Sequence, residues 1–173
     1  EEGKPVSTEM GKLALNRLKQ LAAHEVGHTL GLAHAYSSSS EGRSSVMDYP
    51  QPLAKLINGK IDVTDAYDDK IGEWDKVAIT FGYQDFPEGT DEEKALNDII
   101  QNSLKKGLTF LSDQDARPTG SAHPFTHLWD NGKDAADELN RMLEIRSVVL
   151  RNFGEKNIKS GMPMATLEEV LVP

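Results

Sequence analysis

Between residues 24 and 34 the chain runs His24-Glu25-Val26-Gly27-His28-Thr29-Leu30-Gly31-Leu32-Ala33-His34, placing three of its five histidines at fixed spacings. Residues four apart on an α-helix lie about 40° apart around the axis and about 6 Å apart along it. His24 and His28 can therefore aim their imidazoles at one ion from adjacent turns. Glu25 sits on a neighbouring flank, within reach of a water at that ion but poorly placed to be a ligand. A straight helix cannot deliver a third ligand six residues after His28. Gly31 resolves this, because glycine alone turns the backbone sharply through positive φ without steric cost, and His34 can then fold back. Three neutral imidazoles leave a fourth position open to water, the arrangement of a catalytic rather than a structural zinc. Zinc lowers the pKa of such a water to about 7, and Glu25 is the general base expected to take its proton and pass it to a leaving amine. The competing explanation is three ordinary histidines on a helix, and the spacing argues against it.

The surroundings suit that assignment. Residues 7–30 are expected to form a helix, with Met10, Leu13, Ala14, Leu18, Leu21 and Ala22 recurring at three- and four-residue intervals as one buried face. Ser7 or Thr8 is the expected N-cap, and Gly31 the left-handed residue that ends it. The chain has no cysteine, so a metal must be held by nitrogen and oxygen. A net charge of −9, from 28 acidic and 19 basic residues, with no basic stripe, excludes a phosphate backbone as a natural partner. There is no run of about 18 apolar residues to span a membrane, and the N-terminal residues do not read as a signal peptide.

Downstream, the polar run Ser37-Ser38-Ser39-Ser40-Glu41-Gly42 within residues 35–46 is expected to be a mobile loop. Helices are predicted over about Ile71–Phe81, ended by Gly82, then Asp91–Lys106 and Asp134–Phe153, with a last one beginning at Met164. Leu108–Leu111 reads as a short strand or extended piece, and 112–124 as loop. A second histidine pair, His123 and His127, stands four apart. Pro124 discourages a continuous helix there, so the pair is either a fortuitous metal site with Asp113, Asp115 or Asp130, or a set of polar loop residues. Asp62, Asp65, Asp68 and Asp69 lack the glycine and terminal glutamate of an EF-hand and read as solvated acids.

The pattern H-E-x-x-H-x-x-G-x-x-H, followed by Ser45-Val46-Met47-Asp48-Tyr49 with its methionine thirteen residues after His34, resembles the metzincin zinc metallopeptidases, whose histidine motif is followed by a Met-turn. The resemblance implies zinc held by His24, His28 and His34, with Glu25 catalytic and Met47 packed beneath the histidines without ligating. Astacin- and serralysin-like members carry a tyrosine two places after the methionine, which binds zinc at rest and hydrogen-bonds the oxyanion in turnover. Tyr49 matches that position; packing on the turn is the alternative. The segment Ile71–Ile79 is similar to the helix closing the metzincin C-terminal subdomain. The helical remainder most resembles large bacterial zinc-dependent metalloproteases in which helices follow the core.

These resemblances imply a mainly α chain with a metzincin zinc-binding half-domain at 1–83 and a helical extension at 84–173. Metzincins carry a mixed sheet ahead of the active-site helix, whereas only 23 residues precede His24 here and they read as tail and helix. The chain is therefore expected to be a piece of a longer protein and to cleave peptides more weakly than one containing that sheet. Its expected partner is a peptide or protein substrate, in a secreted or periplasmic, cell-envelope setting. The alternative function is a non-catalytic module stapled by zinc, or an inactive part of a larger peptidase.

Overall fold

A computed structural model describes residues 7–116, 119–120 and 123–171. Helix α1 spans Thr8–Thr29, and the Ser7 side chain accepts from the Met10 N–H as its N-cap. At its far end Leu32 N–H bonds to Gly27 O and Gly31 N–H to His28 O, with Gly31 at φ 84°. This is the Schellman arrangement, in which glycine takes the left-handed position and reverses the chain. The apolar face predicted for α1 is only partly covered, however, with Leu13 and Leu21 half-buried. Met10 and Leu18 are exposed, as are Ala14 and Ala22. The stripe that packs instead carries Gln20, His24 and Gly27. Periodicity showed which residues share a face, but the chain folds back on the other one.

The fold-back segment is not mobile as expected. A 3-10 turn at Tyr36–Ser38 begins a buried stretch in which Tyr36, Ser37, Ser38, Ser39, Ser44 and Ser45 are all sequestered. Serine hydroxyls replace water for the backbone there. Ser38 Oγ donates to Ser45 O and accepts from Ser45 N–H, and Ser37 Oγ donates to Thr109 O. A hydroxyl that satisfies main-chain groups locally lets an irregular polar segment be buried.

A hairpin not anticipated from the sequence follows, with β1 at Lys55–Ile57 antiparallel to β2 at Lys60–Asp62. Asn58 and Gly59 both take positive φ, the requirement of a two-residue type I′ turn. Helix α2 covers Glu73–Tyr83 and α3 covers Glu92–Lys105, packed on one another. Gly82 lies inside α2 rather than ending it, and Gln84 is the C-cap. A short helix, α4 (Asp113–Ala116), stands where loop was expected. Helix α5 (Ala135–Asn152) is capped by Asp134, which accepts from the Ala136 and Asp137 amides, and it meets β1. Residues 108–111 form no strand. Short helical turns at Met164–Leu167 and Glu168–Leu171 come last. No helix among the described residues is long and apolar enough to cross a membrane.

The core lies beneath the histidines. Ala35, Val46 and Met47 are buried together, and Ala23, Leu32 and Trp74 pack against them. Two glycines permit this approach. A Cβ on Gly27 would stand 2.3 Å from Met47 Sδ, and one on Gly72 would stand 1.9 Å from Ser44 O. The second clash is with backbone, which cannot swing aside. Gly72→Ala is therefore expected to cost about 3 kcal/mol, the upper end for overpacking, and more than Gly27→Ala. Urea midpoints of the two variants check the ordering.

Candidate metal centre

The helix places His24 and His28 one turn apart, and the Schellman reversal returns His34 beside them. The ring centroids lie 4.7 Å (His24–His28), 4.8 Å (His28–His34) and 5.4 Å (His24–His34) apart. One nitrogen from each falls within 4.8 Å of those of the other two. His24 is buried, His34 half-buried and His28 exposed, so the cluster opens to solvent on one side.

Each Nδ1 already has a partner. His24 Nδ1 lies 2.8 Å from Val46 O, His28 Nδ1 2.9 Å from Leu32 O, and His34 Nδ1 2.8 Å from Asp113 Oδ2. Carbonyl and carboxylate oxygens can only accept, so all three Nδ1 atoms carry a proton, and in the neutral rings all three Nε2 atoms present lone pairs. With both rings neutral, His24 Nε2 and His28 Nε2 face each other at 3.1 Å as two acceptors. His34 Nε2 is buried without a hydrogen-bond partner. Converging lone pairs repel unless a cation lies among them. Four-coordinate zinc with Zn–N of ~2.0–2.1 Å spaces its nitrogens ~3.3 Å apart, close to the separation of the His24–His28 pair. The donor set fits a metal.

Electrostatics favour the same state. Burial holds the His24 pKa below its ordinary 6.5, only partly offset by the bond to Val46 O, and His28 and His34 push it the same way. A neutral imidazole is what ligation requires.

The anchors come from distant parts of the chain. Val46 O accepts from Gln20 Nε2 as well as His24. The Val46 N–H donates to Asp75 Oδ2, which also takes the Gly72 N–H at 2.6 Å, while Asp75 Oδ1 takes Ser45 Oγ–H at 2.6 Å. Asp75, buried in the first turn of α2, thereby holds the turn at Val46–Met47. Met47 is 1% exposed, and its carbonyl accepts from Ala35 N–H. Asp113, at the start of α4, accepts from His34 with one oxygen and from Tyr36 O–H with the other. Sequence reasoning grouped Asp113 with the His123 region and gave Asp75 no role. An acid three residues after Gly72 in a predicted helix start was a usable signal for Asp75. Nothing local pointed from Asp113 to His34, 79 residues away.

Tyr49 stacks on His24 at 4.9 Å and lies against His34 at 4.6 Å. Glu25 is exposed beside His24, on the solvent side of α1. His123 and His127 take no part: His123 Nδ1 accepts from Phe125 N–H, and neither joins a metal-binding cluster among the described residues. Of the acidic loop, Asp65 and Asp68 pair with Arg43, and Lys55 also meets Asp65.

Beneath Tyr49, burial and the neighbouring Asp130 push Asp48 up to about 8, although the Tyr49 N–H donates to it. Asp130 is also raised, by burial. Asp48 is thus held protonated in the fold across a range where the unfolded chain, with a pKa near 3.8, releases that proton. Stability then falls as pH rises from about 4 to about 8 and levels off above. Asp48→Asn keeps the acceptor for Tyr49 and removes the charge. Its stability relative to the parent is expected to increase across that window by on the order of a few kcal/mol, and paired chemical denaturation at several pH values checks this. For the metal, Asp113→Ala is expected to weaken affinity by roughly 10- to 100-fold by freeing the His34 ring, measured by competition with a chromophoric chelator.

Comparison with curated proteins and with solved structures finds no match. The sequence profile of the Met-zincin family matches residues 7–173, which contain all three histidines, the turn at Met47 and the helices beyond it. With that match over nearly the whole chain, and a histidine triad whose geometry fits the family's zinc motif, the chain belongs to the Met-zincin family.

Proposed function

We propose that this chain performs zinc-dependent hydrolysis of peptide bonds. The observation that carries the proposal is the convergence of His24, His28 and His34, one nitrogen of each within 4.8 Å of the others, with every Nδ1 against an oxygen acceptor and His28 on the exposed side. A site closed on all sides would serve a structural metal, whereas three nitrogens and an open side leave room for a reacting group.

His24, His28 and His34 would hold the ion through Nε2. The bonds from their Nδ1 atoms to Val46 O, Leu32 O and Asp113 keep the rings from turning and make them better donors. Zinc, when bound there, supplies Lewis acidity that acidifies a water and polarises the substrate carbonyl. The Glu25 carboxylate accepts the water's proton as the oxygen attacks, and returns it to the amine nitrogen as the peptide bond breaks. Tyr49, whose ring lies against His24 and His34, supplies a phenol suited to hydrogen-bonding the carbonyl oxygen as negative charge develops on it. Met47, under Gly27, is the floor that the family resemblance assigns to a Met-turn.

Glu25→Gln keeps helix propensity and size while removing the base. Zinc content is expected to remain at one per chain, while kcat/KM on a fluorogenic peptide falls by about 10²- to 10⁴-fold. Unchanged turnover in the variant, or a parent chain that takes up no zinc, would contradict the proposal.

A further inference from the structure

Trp129 stands in a position that its burial and its backbone do not explain. It has φ 68°, in the left-handed region where a bulky side chain is strained and glycine or asparagine is not. Strain of that kind is retained where the surroundings over-determine it, commonly at a working site. A tightly packed core position would offset the strain, but Trp129 is 50% exposed.

The segment carrying it is tied down. The Trp129 N–H donates to Tyr49 O at 3.0 Å, Asn131 Nδ2 donates to Gln51 O at 2.7 Å, and Asp130 between them is buried. The indole stacks on the Tyr49 ring at 5.3 Å, and Tyr49 stacks in turn on His24 at 4.9 Å. The indole is therefore no more than ~10 Å from a metal-binding imidazole, about the span of three residues of extended peptide. One face of the indole is covered by Tyr49. Half of the residue remains open to solvent.

We infer that Trp129 is a substrate-binding residue, the wall of the peptide cleft that receives an aromatic or long aliphatic side chain within about three residues of the scissile bond. The inference rests on the peptidase reading above and names the substrate class of that site. A rigid, flat side chain held in place before binding loses little conformational freedom when it makes contact. Tryptophan is also prominent among the residues that dominate peptide and protein contacts. Its geometry suits ring-on-ring or ring-on-methylene packing.

Two peptides differing only in Phe or Gly at one position beside the scissile bond test this on the zinc-loaded protein, scanning that position along the peptide. At the responsive position, Trp129→Ala is expected to raise KM for the Phe peptide roughly three- to tenfold. KM for the Gly peptide and kcat for both should stay close to the parent, and Trp129→Phe should restore most of the preference. An unchanged Phe-to-Gly ratio at every position overturns the inference, as does a loss confined to kcat, which would make Trp129 a support for Tyr49. A loss confined to peptides with Lys or Arg there overturns the apolar assignment.

Binding is followed separately, without turnover. The chain has two tryptophans, so Trp74→Phe leaves Trp129 as the sole indole. Its emission should shift saturably with the Phe peptide in the Glu25→Gln background, and not with the Gly peptide. A shift in a protein whose parent cleaves no peptide sinks the peptidase reading and leaves the platform standing. Turnover with no shift does the reverse.

Discussion

The Val46 peptide group joins the two parts of the molecule that the metal centre needs. Its carbonyl accepts from His24 Nδ1 and Gln20 Nε2, both on α1, and its N–H donates to Asp75 on α2. One planar unit thus fixes a ligand's tautomer, anchors the helix that carries two ligands, and ties both to the turn holding Met47. All these groups are buried, where each unmade bond costs about 1–3 kcal/mol. The bonds therefore tend to form together or not at all. The close contact of Gly27 with Met47 follows, because a side chain at position 27 would push the turn away from the helix and stretch the Val46–His24 bond.

The same arrangement suits the cluster to a metal better than to a hydrogen-bonded knot of histidines. Were one Nδ1 without an acceptor, that ring could shift its proton and hydrogen-bond a neighbour. With Val46 O, Leu32 O and Asp113 all accepting, a neutral ring keeps its proton on Nδ1. The remaining lone pairs have only a cation or water to meet. A cation among the three nitrogens would satisfy them together.

Much of this was legible where the determinants are local. The spacing of His24 and His28, the left-handed Gly31, the cap at Ser7 and the helix starts near Asp91 and Asp134 are matters of a few residues, and the structure has them where the pattern placed them, with both aspartates as N-caps. The failures share a physical cause. Met10, Leu18 and their neighbours form a periodic apolar face, but periodicity cannot say whether anything covers it. The serine run looked mobile because serine is polar, yet its hydroxyls serve as internal partners for a buried backbone. Asn58-Gly59 is itself a local hairpin signal, set between Leu56-Ile57 and Lys60-Ile61. Asp75, Asp113 and Trp129 reach the site from 29 to 80 residues away along the chain from their partners Val46, His34 and Tyr49, and no local pattern announces such a meeting.

The account stands on three imidazoles bound through Nε2 with Nδ1 protonated, and nitrogen-15 NMR of histidine-labelled, zinc-loaded protein reads that directly. Of the five histidine rings, three should be locked as the Nδ1–H form with metal on Nε2, and should not titrate while zinc is bound. His123 and His127 should remain outside that set. Zinc carried by fewer than three of His24, His28 and His34, or by any of them through Nδ1, would contradict the account.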